Sequence, residues 1–440
     1  MAKLEIQIQT RKMLKPSIST PNHLRILKLS FFDHLVPRVY VPVLFHYLPS
    51  STGEGTITER CDKLQKSLAQ TLTGFYPMAG RFTEDEFSIQ CNDEGVEYVE
   101  TKVNADLAEF LYQLGPKTEL LNDFLPWPSS SVSPYSDLPS SPLLGVQVNI
   151  FNCGGLVIAI QISHILADAF TYATFLNEWA NTSLTGTTKD CLPSFGHLSS
   201  LFPTRALSGP QFSPPSNRGP KSITRRFVFD ALAITKLKNT IEGSSAIRPT
   251  RVVVVMSLIW KILVGISTAK NGHSRDSSFL FPINLRGKSI LPSLEHALGN
   301  FTMFGIANLE ASQSRKELNV LVGNTIRDTC LGIGKAASVN DISSLVVNNQ
   351  IKVVDKLSQG DEMDIYSCSS WCGFPWYEAD FGWGKPFWVS SISFDAFEVI
   401  VLMDTKNGDG VEAWVSLKEN DMTEFERDAD ILTFCPPLLP

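Results

Sequence analysis

The most constraining feature of this chain is residues 158–168, an apolar run that delivers one histidine and, four residues later, one aspartate. Its closely spaced isoleucines favour a β-strand that is buried on both faces, and the glycines just before it favour a turn. After His164, the apolar residues Phe170, Ala173 and Leu176 can share one face of a helix. The sequence therefore predicts a strand, then a histidine, then a helix.

His164 is a candidate catalytic residue because it stands at the predicted junction of strand and helix. The ordinary pKa of an imidazole, about 6.5, lets it take and return a proton near neutral pH. A general base is therefore one interpretation of His164. The other is a buried histidine that hydrogen-bonds to a backbone carbonyl, and this stretch alone leaves both open.

The length and composition predict two globular domains without a nucleic-acid or membrane partner. A chain of 440 residues exceeds one ordinary domain. Its 38 basic and 45 acidic residues give a net charge of -7 without long runs of one sign, which disfavours nucleic acid and anionic membranes as ligands. Prolines, serines and glycines concentrate at 192–222, near the middle of the chain. We therefore predict an N-terminal domain over 1–195, a linker over 196–222 and a C-terminal domain over 223–440.

The eight cysteines do not predict a metal site. None stands in a CxxC pair or beside histidines at ligand spacing, which disfavours zinc. The amino terminus alternates polar and apolar residues like a strand and lacks the apolar core of a signal peptide. The sequence shows no uninterrupted apolar stretch long enough to cross a bilayer. We therefore expect a cytoplasmic protein with free thiols in a reducing compartment.

The catalytic motifs of several other enzyme classes do not occur in this sequence. It contains no GxSxG nucleophile elbow, no GxxxxGK[ST] phosphate loop and no GxGxxG after a strand. The triplet DFG at 380–382 matches the metal-binding triplet of protein kinases, but the kinase lysine, catalytic loop and glycine-rich loop are missing. The aromatic- and glycine-rich segment 369–386 is predicted to form a shaped corner rather than a simple strand.

Two motifs together resemble those of a known family. HILAD at 164–168 matches HxxxD, and DFGWG stands at 380–384, in the order and separation typical of the plant BAHD acyltransferases. HxxxD alone is a weak signal, whereas DFGWG is specific. YPMAGR at 76–81, NLR at 284–286 and GN at 299–300 extend the resemblance over essentially the whole chain.

The resemblance implies an α/β fold of two chloramphenicol-acetyltransferase-like domains with mixed sheets flanked by helices. The N-terminal domain would carry HxxxD, the C-terminal domain would carry DFGWG, and an active-site channel would run through their interface. Acyl-CoA would be a co-substrate, without a bound cofactor or metal. His164 would take the acceptor's proton as the acceptor oxygen attacks the thioester, without an acyl-enzyme. The enzyme would be a monomer.

The resemblance also assigns roles to further residues. Asp168 would turn away from His164 and pair with Arg286, so that both support the catalytic loop. Asp380 would likewise be architectural. The remaining assignments are donors near the thioester oxygen for Ser369 and Trp371, CoA contacts at a helix start for Thr250 and Arg251, and acceptor-pocket positions for Tyr40, Phe301 and Met303. A strand-end hydroxyl and a packed indole explain Ser369 and Trp371 equally well. Tyr40, Phe301 and Met303, judged singly, fit the core better than a ligand contact.

One departure from the family pattern bears on the acceptor. Ala169 stands where the family commonly has glycine, so the backbone there must avoid positive φ. Members that act on alkaloid alcohols share this replacement. We therefore expect transfer of an acetyl or other short acyl group to a hydroxyl of an alkaloid, naphthoquinone or terpenoid. An amine or an acylsugar is the alternative acceptor, and an acyl-CoA hydrolase or a non-catalytic binding homologue is a more distant alternative.

Overall fold

The chain folds into two compact units. The computed structural model describes residues 4–49, 55–115, 118–127, 141–188, 195–204, 222–240, 248–289, 291–359, 362–394 and 398–435. Unit 1 comprises Met1–Leu207, His296–Phe301 and Phe374–Ile392. Unit 2 comprises Ser208–Glu295, Thr302–Gly373 and Ser393–Pro440.

Both units contain helices and strands. The strands are β1 (Ile6–Leu14), β2 (Ile26–Lys28), β3 (Tyr40–Tyr47), β4 (Arg81–Thr83), β5 (Ser88–Gln90), β6 (Val96–Val103), β7 (Leu144–Phe151), β8 (Leu156–Ser163), β9 (Ser222–Phe229), β10 (Ser277–Asn284), β11 (Thr302–Leu309), β12 (Asp364–Ser370), β13 (Trp388–Ser390), β14 (Val399–Asp404) and β15 (Val411–Lys418). The helices are α1 (Ile57–Gly74), α2 (Leu107–Leu114), α3 (Ala169–Thr185), α4 (His197–Leu201), α5 (Ala231–Thr240), α6 (Arg251–Asn271), α7 (Leu318–Lys335), α8 (Val339–Ser358), α9 (Glu419–Arg427) and α10 (Ala429–Phe434).

The main sheet of unit 1 contains the strand that ends just before His164. Its strands lie in the order β1-β6-β7-β8-β3-β13. The pair β6 and β7 is parallel, whereas the other neighbouring strands are antiparallel. Every residue of β8 is buried, and Ser163 at its end lies opposite Tyr40 of β3. The predicted buried strand therefore occupies an interior position of a mixed sheet.

Helices α1 and α3 fix the position of the residues that follow β8. The sequence predicts α1 over 59–72, and in the structure it extends slightly beyond that range at both ends. The two helices pack together, and the indole of Trp179 donates to the carbonyl of Leu64 at 3.2 Å. The hydroxyl of Tyr172 donates to the carbonyl of Ile160 at 2.8 Å, which ties α3 to β8. Helix α3 is therefore held against both α1 and the sheet.

The sheet of unit 2 packs against the apolar helix α6. Its strands lie in the order β11-β10-β12-β14-β15-β9, and β12 is parallel to both β10 and β14. By length and composition α6 could cross a bilayer, although Lys261 interrupts its apolar run. However, 61% of its most apolar window is buried, and the ring of Trp260 stacks on Phe279 at 5.3 Å between centroids. The burial is that of a core helix, and the long apolar run at 251–266 predicts a helix at this place.

Two segments, His296–Phe301 and Phe374–Ile392, do not belong to the domain that the sequence predicts. The predicted C-terminal domain, 223–440, includes the DFGWG motif, whereas Phe374–Ile392 belongs to unit 1. The reason is β13, in which Trp388 pairs with His46 of β3, so a strand from late in the chain completes the first sheet. Periodicity identifies a strand but not the sheet edge that it joins. Residues 205–221 of the predicted linker lie outside the described residues.

Candidate active site

His164 is the first residue after β8 and begins a turn. Its backbone N–H donates to the carbonyl of Val39 at 2.8 Å. Its own carbonyl accepts a hydrogen bond from Nδ2 of Asn300, also at 2.8 Å. The half-buried imidazole therefore stands on a turn whose backbone is anchored at two points.

The environment of the His164 imidazole favours its neutral form. Burial lowers the pKa of His164 below its ordinary value, whereas the negative charge of Asp168 opposes this shift. Nδ1 is buried and makes no hydrogen bond to any described residue. A neutral imidazole carries one hydrogen, and its other nitrogen can accept a proton. His164 therefore has the properties that a general base needs at neutral pH.

Asp168 caps helix α3 and braces a second segment of unit 1. Its Oδ1 accepts from the N–H of Thr171 at 2.9 Å, and its Oδ2 accepts from the N–H of Phe301 at 3.1 Å. The carboxylate is buried, so each oxygen holds a backbone group away from water. This geometry supports the structural role predicted for Asp168. The predicted pairing with Arg286, a buried residue of unit 2, stays a prediction.

Asp380 holds the backbone of its own glycine-rich loop. Its Oδ1 accepts from the N–H of Gly382 at 2.8 Å and from that of Gly384 at 2.9 Å. The φ angles of these glycines are 107° and 103°, a region that side chains with a Cβ disfavour. The loop therefore needs both its glycines and the carboxylate that joins them, which supports the architectural role predicted for Asp380.

The DFGWG loop packs at the carboxyl end of α3. The rings of Phe381 and Trp179 lie 4.8 Å apart, and the hydroxyl of Ser183 donates to the carbonyl of Phe381 at 2.8 Å. Ser183 follows Asp168 by about four helical turns, which corresponds to roughly 22 Å along the axis. The loop therefore lies at the opposite end of α3 from His164.

Ser369 and Trp371 are hydrogen-bonded to each other in unit 2. The indole Nε1 of Trp371 donates to Oγ of Ser369 at 3.1 Å, and its backbone N–H donates to the carbonyl of Leu402 at 2.7 Å. The indole has a single N–H, so Ser369 already occupies its donor. The Ser369 hydroxyl can still donate its own hydrogen. Of the two predicted oxyanion donors, Ser369 is therefore the better placed to act as one.

Thr250 and Arg251 stand at the start of α6 in unit 2. Oγ1 of Thr250 caps the helix by accepting from the N–H of Val253 at 3.3 Å. The guanidinium of Arg251 forms an ion pair with Asp404, whose other oxygen accepts from the N–H of Gly373 at 2.7 Å. Helix starts attract anions, but Asp404 already supplies a negative charge to Arg251. The predicted CoA contacts of Thr250 and Arg251 stay predictions.

The three residues predicted for the acceptor pocket have different surroundings. Tyr40 lies opposite Ser163 on half-buried sheet surface, and its hydroxyl donates to the carbonyl of Pro142 at 2.8 Å. Phe301 is fully buried in unit 1, with its ring 5.0 Å from that of Phe32. Met303 belongs to β11 of unit 2 and is 8% exposed. Phe301 packs as a core residue, whereas Tyr40 lies beside the turn of His164.

Comparison with known proteins identifies the family. The profile of the Transferase family matches residues 4–432. This chain belongs to that family, the BAHD acyltransferases. The match covers both units, including the HxxxD turn and the DFGWG loop.

Individual BAHD relatives match over nearly their whole length. Acetyl-CoA-benzylalcohol acetyltransferase of Clarkia breweri is 35% identical over 445 residues, which cover 98% of this chain and 100% of that protein. Stemmadenine O-acetyltransferase of Catharanthus roseus is 31% identical over 428 residues, covering 96% and 97%. The crystal structure of vinorine synthase has a TM-score of 0.82 at 29% identity, covering 98% of this chain and 99% of that one. The expected two-domain α/β fold and acyltransferase class are thus confirmed.

Two residues without a predicted role hold His164 in this BAHD enzyme. Asn300, which donates to the His164 carbonyl, also donates from Nδ2 to Oδ1 of Asp33 at 2.8 Å. Asp33 forms a capping box with Ser30, a pattern that the sequence SFFD displays. The motif GN contains Asn300, but its partner Asp33 lies 267 positions away, so the sequence does not reveal the pairing. Only folding brings this carboxylate and amide to the catalytic turn.

The BAHD enzyme shows no group of three or more His, Cys, Asp or Glu side chains that could hold a metal ion among the residues that the structure describes. Cys191 lies outside those residues. The expected cytoplasmic location and monomeric state stay predictions. The free thiols of the described part are Cys61, Cys91, Cys153, Cys330, Cys368, Cys372 and Cys435.

Proposed function

We propose that this enzyme transfers an acetyl or other short acyl group from acyl-CoA to a hydroxyl of a plant specialised metabolite. The observation that carries the proposal is the imidazole of His164, which is half-buried, shifted towards its neutral form and mounted on an anchored turn. The relatives support the substrates. The Clarkia breweri enzyme is named for acetyl-CoA and benzyl alcohol, and the Catharanthus roseus enzyme for O-acetylation of stemmadenine.

In the proposed reaction, His164 acts as a general base with both substrates bound. Its Nε2 takes the proton from the acceptor hydroxyl while the oxygen attacks the thioester carbonyl. The tetrahedral intermediate then expels the CoA thiolate, which takes the proton from the imidazolium, and no acyl-enzyme forms. A positioned base contributes about 10²- to 10⁴-fold in rate, and holding both substrates together supplies a further part of the acceleration.

The developing oxyanion needs a hydrogen-bond donor, and we assign this role to the hydroxyl of Ser369. Because its oxygen accepts from the Trp371 indole at 3.1 Å, that bond polarises the hydroxyl and strengthens it as a donor. Removal of one such donor typically costs about 3 kcal/mol of transition-state stabilisation. Trp371 would therefore act through Ser369.

The acceptor would lie beside the turn that carries His164. Tyr40 is the best-supported pocket residue, because β3 places it opposite Ser163, the residue before His164. Ala169 begins α3 in helical conformation, so the replacement of the usual glycine causes no strain. Together with the acetyltransferase relatives, this replacement favours a bulky alcohol of alkaloid or terpenoid type over an amine or an acylsugar.

A two-part assay tests the proposal. Purified enzyme is incubated with acetyl-CoA, with and without a panel of alcohols, amines and sugars, and free CoA thiol is measured together with the product masses. We expect thiol release to require an acceptor and the products to be O-acetyl esters. Release at the full rate without an acceptor would indicate a hydrolase, and products formed only from amines would indicate N-acylation. Incubation with metabolites extracted from the source tissue would then identify the natural acceptor.

A further inference from the structure

A neutral histidine acts as a general base through the ring nitrogen that carries no hydrogen, so its one hydrogen must lie on the other nitrogen. For His164 that other nitrogen is Nδ1. If Nε2 takes the acceptor's proton, the single hydrogen of the neutral imidazole must stay on Nδ1. Nδ1 is buried, so water cannot hold that hydrogen there. A protein acceptor near Nδ1 must therefore set the tautomer.

The side chain of Asn300 is oriented so that its oxygen is such an acceptor. Its Nδ2 donates to Oδ1 of Asp33 and to the carbonyl of His164, both at 2.8 Å. Because both partners can only accept, the amide cannot be reversed without losing both bonds. Oδ1 of Asn300 is then left buried without a hydrogen-bond partner among the described residues.

Asp33 stabilises this orientation of the Asn300 amide. Its Oδ1 also accepts from the backbone N–H of Asn300 at 3.1 Å, and its Oδ2 accepts from the N–H and the hydroxyl of Ser30, both at 2.7 Å. Asp33 is 4% exposed and Asn300 is 0% exposed. A carboxylate with four donors in such a site has no freedom to rotate, so the amide that it binds is held as well.

We propose that Asn300, oriented by Asp33, is a positioning residue that keeps the hydrogen of neutral His164 on Nδ1 and so leaves Nε2 free as the base. This inference rests on the proposed general-base function. Two acceptors that influence the imidazole depend on Asn300: its own Oδ1, and the His164 carbonyl that its Nδ2 anchors. Against the lowering by burial, this carbonyl and the Asn300 side chain raise the pKa of His164. Catalytic hydrogen bonds often reach full alignment only when substrate binds.

The test compares two buried asparagines of unit 1. Asn300→Ala removes the proposed positioning residue, and Asn149→Ala is the matched control. Asn149 is also 0% exposed, and its Nδ2 likewise donates two hydrogen bonds, to the carbonyls of Phe124 at 3.0 Å and Val157 at 3.1 Å. Oδ1 of Asn149 also accepts from Thr101 and Gln147, both at 2.8 Å, so the control variant should lose at least as much stability as Asn300→Ala.

The kcat and the tautomer of His164 should distinguish Asn300→Ala from Asn149→Ala. We expect Asn300→Ala to lower kcat by about tenfold to a hundredfold, as for partners that fix the tautomer of metal-bound histidines, with little change in KM for acetyl-CoA. Asn149→Ala should retain the kcat of the wild-type enzyme per folded molecule. Nitrogen NMR of isotope-labelled histidine, with His164→Ala to assign the signal, should show Nδ1–H in the wild type and a mixed tautomer only in Asn300→Ala.

The double variant Asp33→Asn with Asn300→Asp keeps the measurement possible if Asn300→Ala does not fold. It exchanges the carboxylate and the amide within one buried pair, so the pair can reform, but position 300 no longer donates to the His164 carbonyl. Because a carboxylate at position 300 accepts from Nδ1–H more strongly than an amide does, we expect this variant to keep that tautomer and to move the acid limb of kcat/KM to higher pH.

Some outcomes would overturn the inference. An unchanged His164 tautomer in Asn300→Ala would do so, as would a kcat of that variant within about twofold of the wild type or an unshifted acid limb of kcat/KM in the double variant. Failure of the proposed function is distinguishable, because His164→Ala would then retain activity whatever the tautomer measurement shows.

Discussion

The HxxxD turn and the DFGWG loop each use an aspartate to hold backbone N–H groups, but the two regions serve different purposes. Asp168 holds the start of α3 and the segment His296–Phe301. Asp380 holds two glycines of its own loop at the other end of α3. Only the first region contains a titratable group in a setting suited to proton transfer, the imidazole of His164. The motif that is more specific for the family therefore contains an aspartate that holds its own loop, whereas the weaker motif contains the proposed base.

Replacement of His164 should show most clearly how the HxxxD turn differs from the DFGWG loop. His164→Ala should lower kcat by about 10²- to 10⁴-fold because the acceptor loses its base. Its affinity for acyl-CoA and its thermal unfolding midpoint should stay close to those of the wild type. The measurements are steady-state kinetics, calorimetric titration with CoA and thermal unfolding. Retention of more than about a tenth of the activity would contradict the general-base role.

Replacement of Asp168 should damage both stability and rate. Asp168→Ala removes the cap of α3 and the acceptor for the N–H of Phe301, so the free energy of unfolding should fall by about 1–2 kcal/mol. The rate should fall as well, because the turn that carries His164 loses its brace. Asp168→Asn keeps an acceptor oxygen for the cap and should lose less stability. If Asp168→Ala were inactive yet as stable as the wild type, a catalytic dyad of Asp168 and His164 would be favoured instead.

Replacement of Asp380 should affect stability alone. Asp380→Ala removes the acceptor for the N–H groups of Gly382 and Gly384, which should lower the free energy of unfolding by about 1–3 kcal/mol. Because the loop lies far along α3 from His164, kcat per folded molecule should stay within about twofold of the wild type. Asp380→Asn, which keeps one acceptor oxygen, is the matched control. Denaturant titrations and active-site-normalised kinetics measure both quantities, and a large loss of kcat in folded Asp380→Ala would place the loop in the chemistry.

The smallest expected effect is on pH dependence. The neutral imidazole is the active form, so kcat/KM should fall as the pH drops through the pKa of His164, which burial places below 6.5. Because the charge of Asp168 raises that pKa, Asp168→Asn should move the acid limb to still lower pH. Asp380→Asn should leave the limb unchanged. Profiles of kcat/KM against pH for the three proteins measure this, and a limb above pH 6.5 in the wild type would contradict the assignment.

The local elements of the fold were predictable from patterns of neighbouring residues. The apolar run before His164 forms the buried strand β8, and the spacing of Phe170, Ala173 and Leu176 predicts α3. These elements follow from periodicity, which depends on residues only a few positions apart. Motif resemblance additionally identified the family, because DFGWG and HxxxD occur in the expected order.

Contacts between distant parts of the chain were not predictable in the same way. Strand β13 completes the first sheet by pairing with β3, and so the DFGWG loop belongs to unit 1. Phe301, a predicted pocket residue, packs in an aromatic core with Phe32. No local pattern in the sequence indicates either contact, because each partner is separated from the other by more than two hundred residues.

The sequence by itself determined the elements that present His164, the motifs that identify an acyltransferase and the absence of the nucleophile and nucleotide motifs of other enzymes. Only the tertiary structure decided how that histidine is held. Asp33 and Asn300 reach the catalytic turn from positions 267 residues apart, and their hydrogen bonds acquire a direction only when burial removes water as a competing partner. A base can be found from a motif, but its orientation depends on contacts that form only in the folded protein.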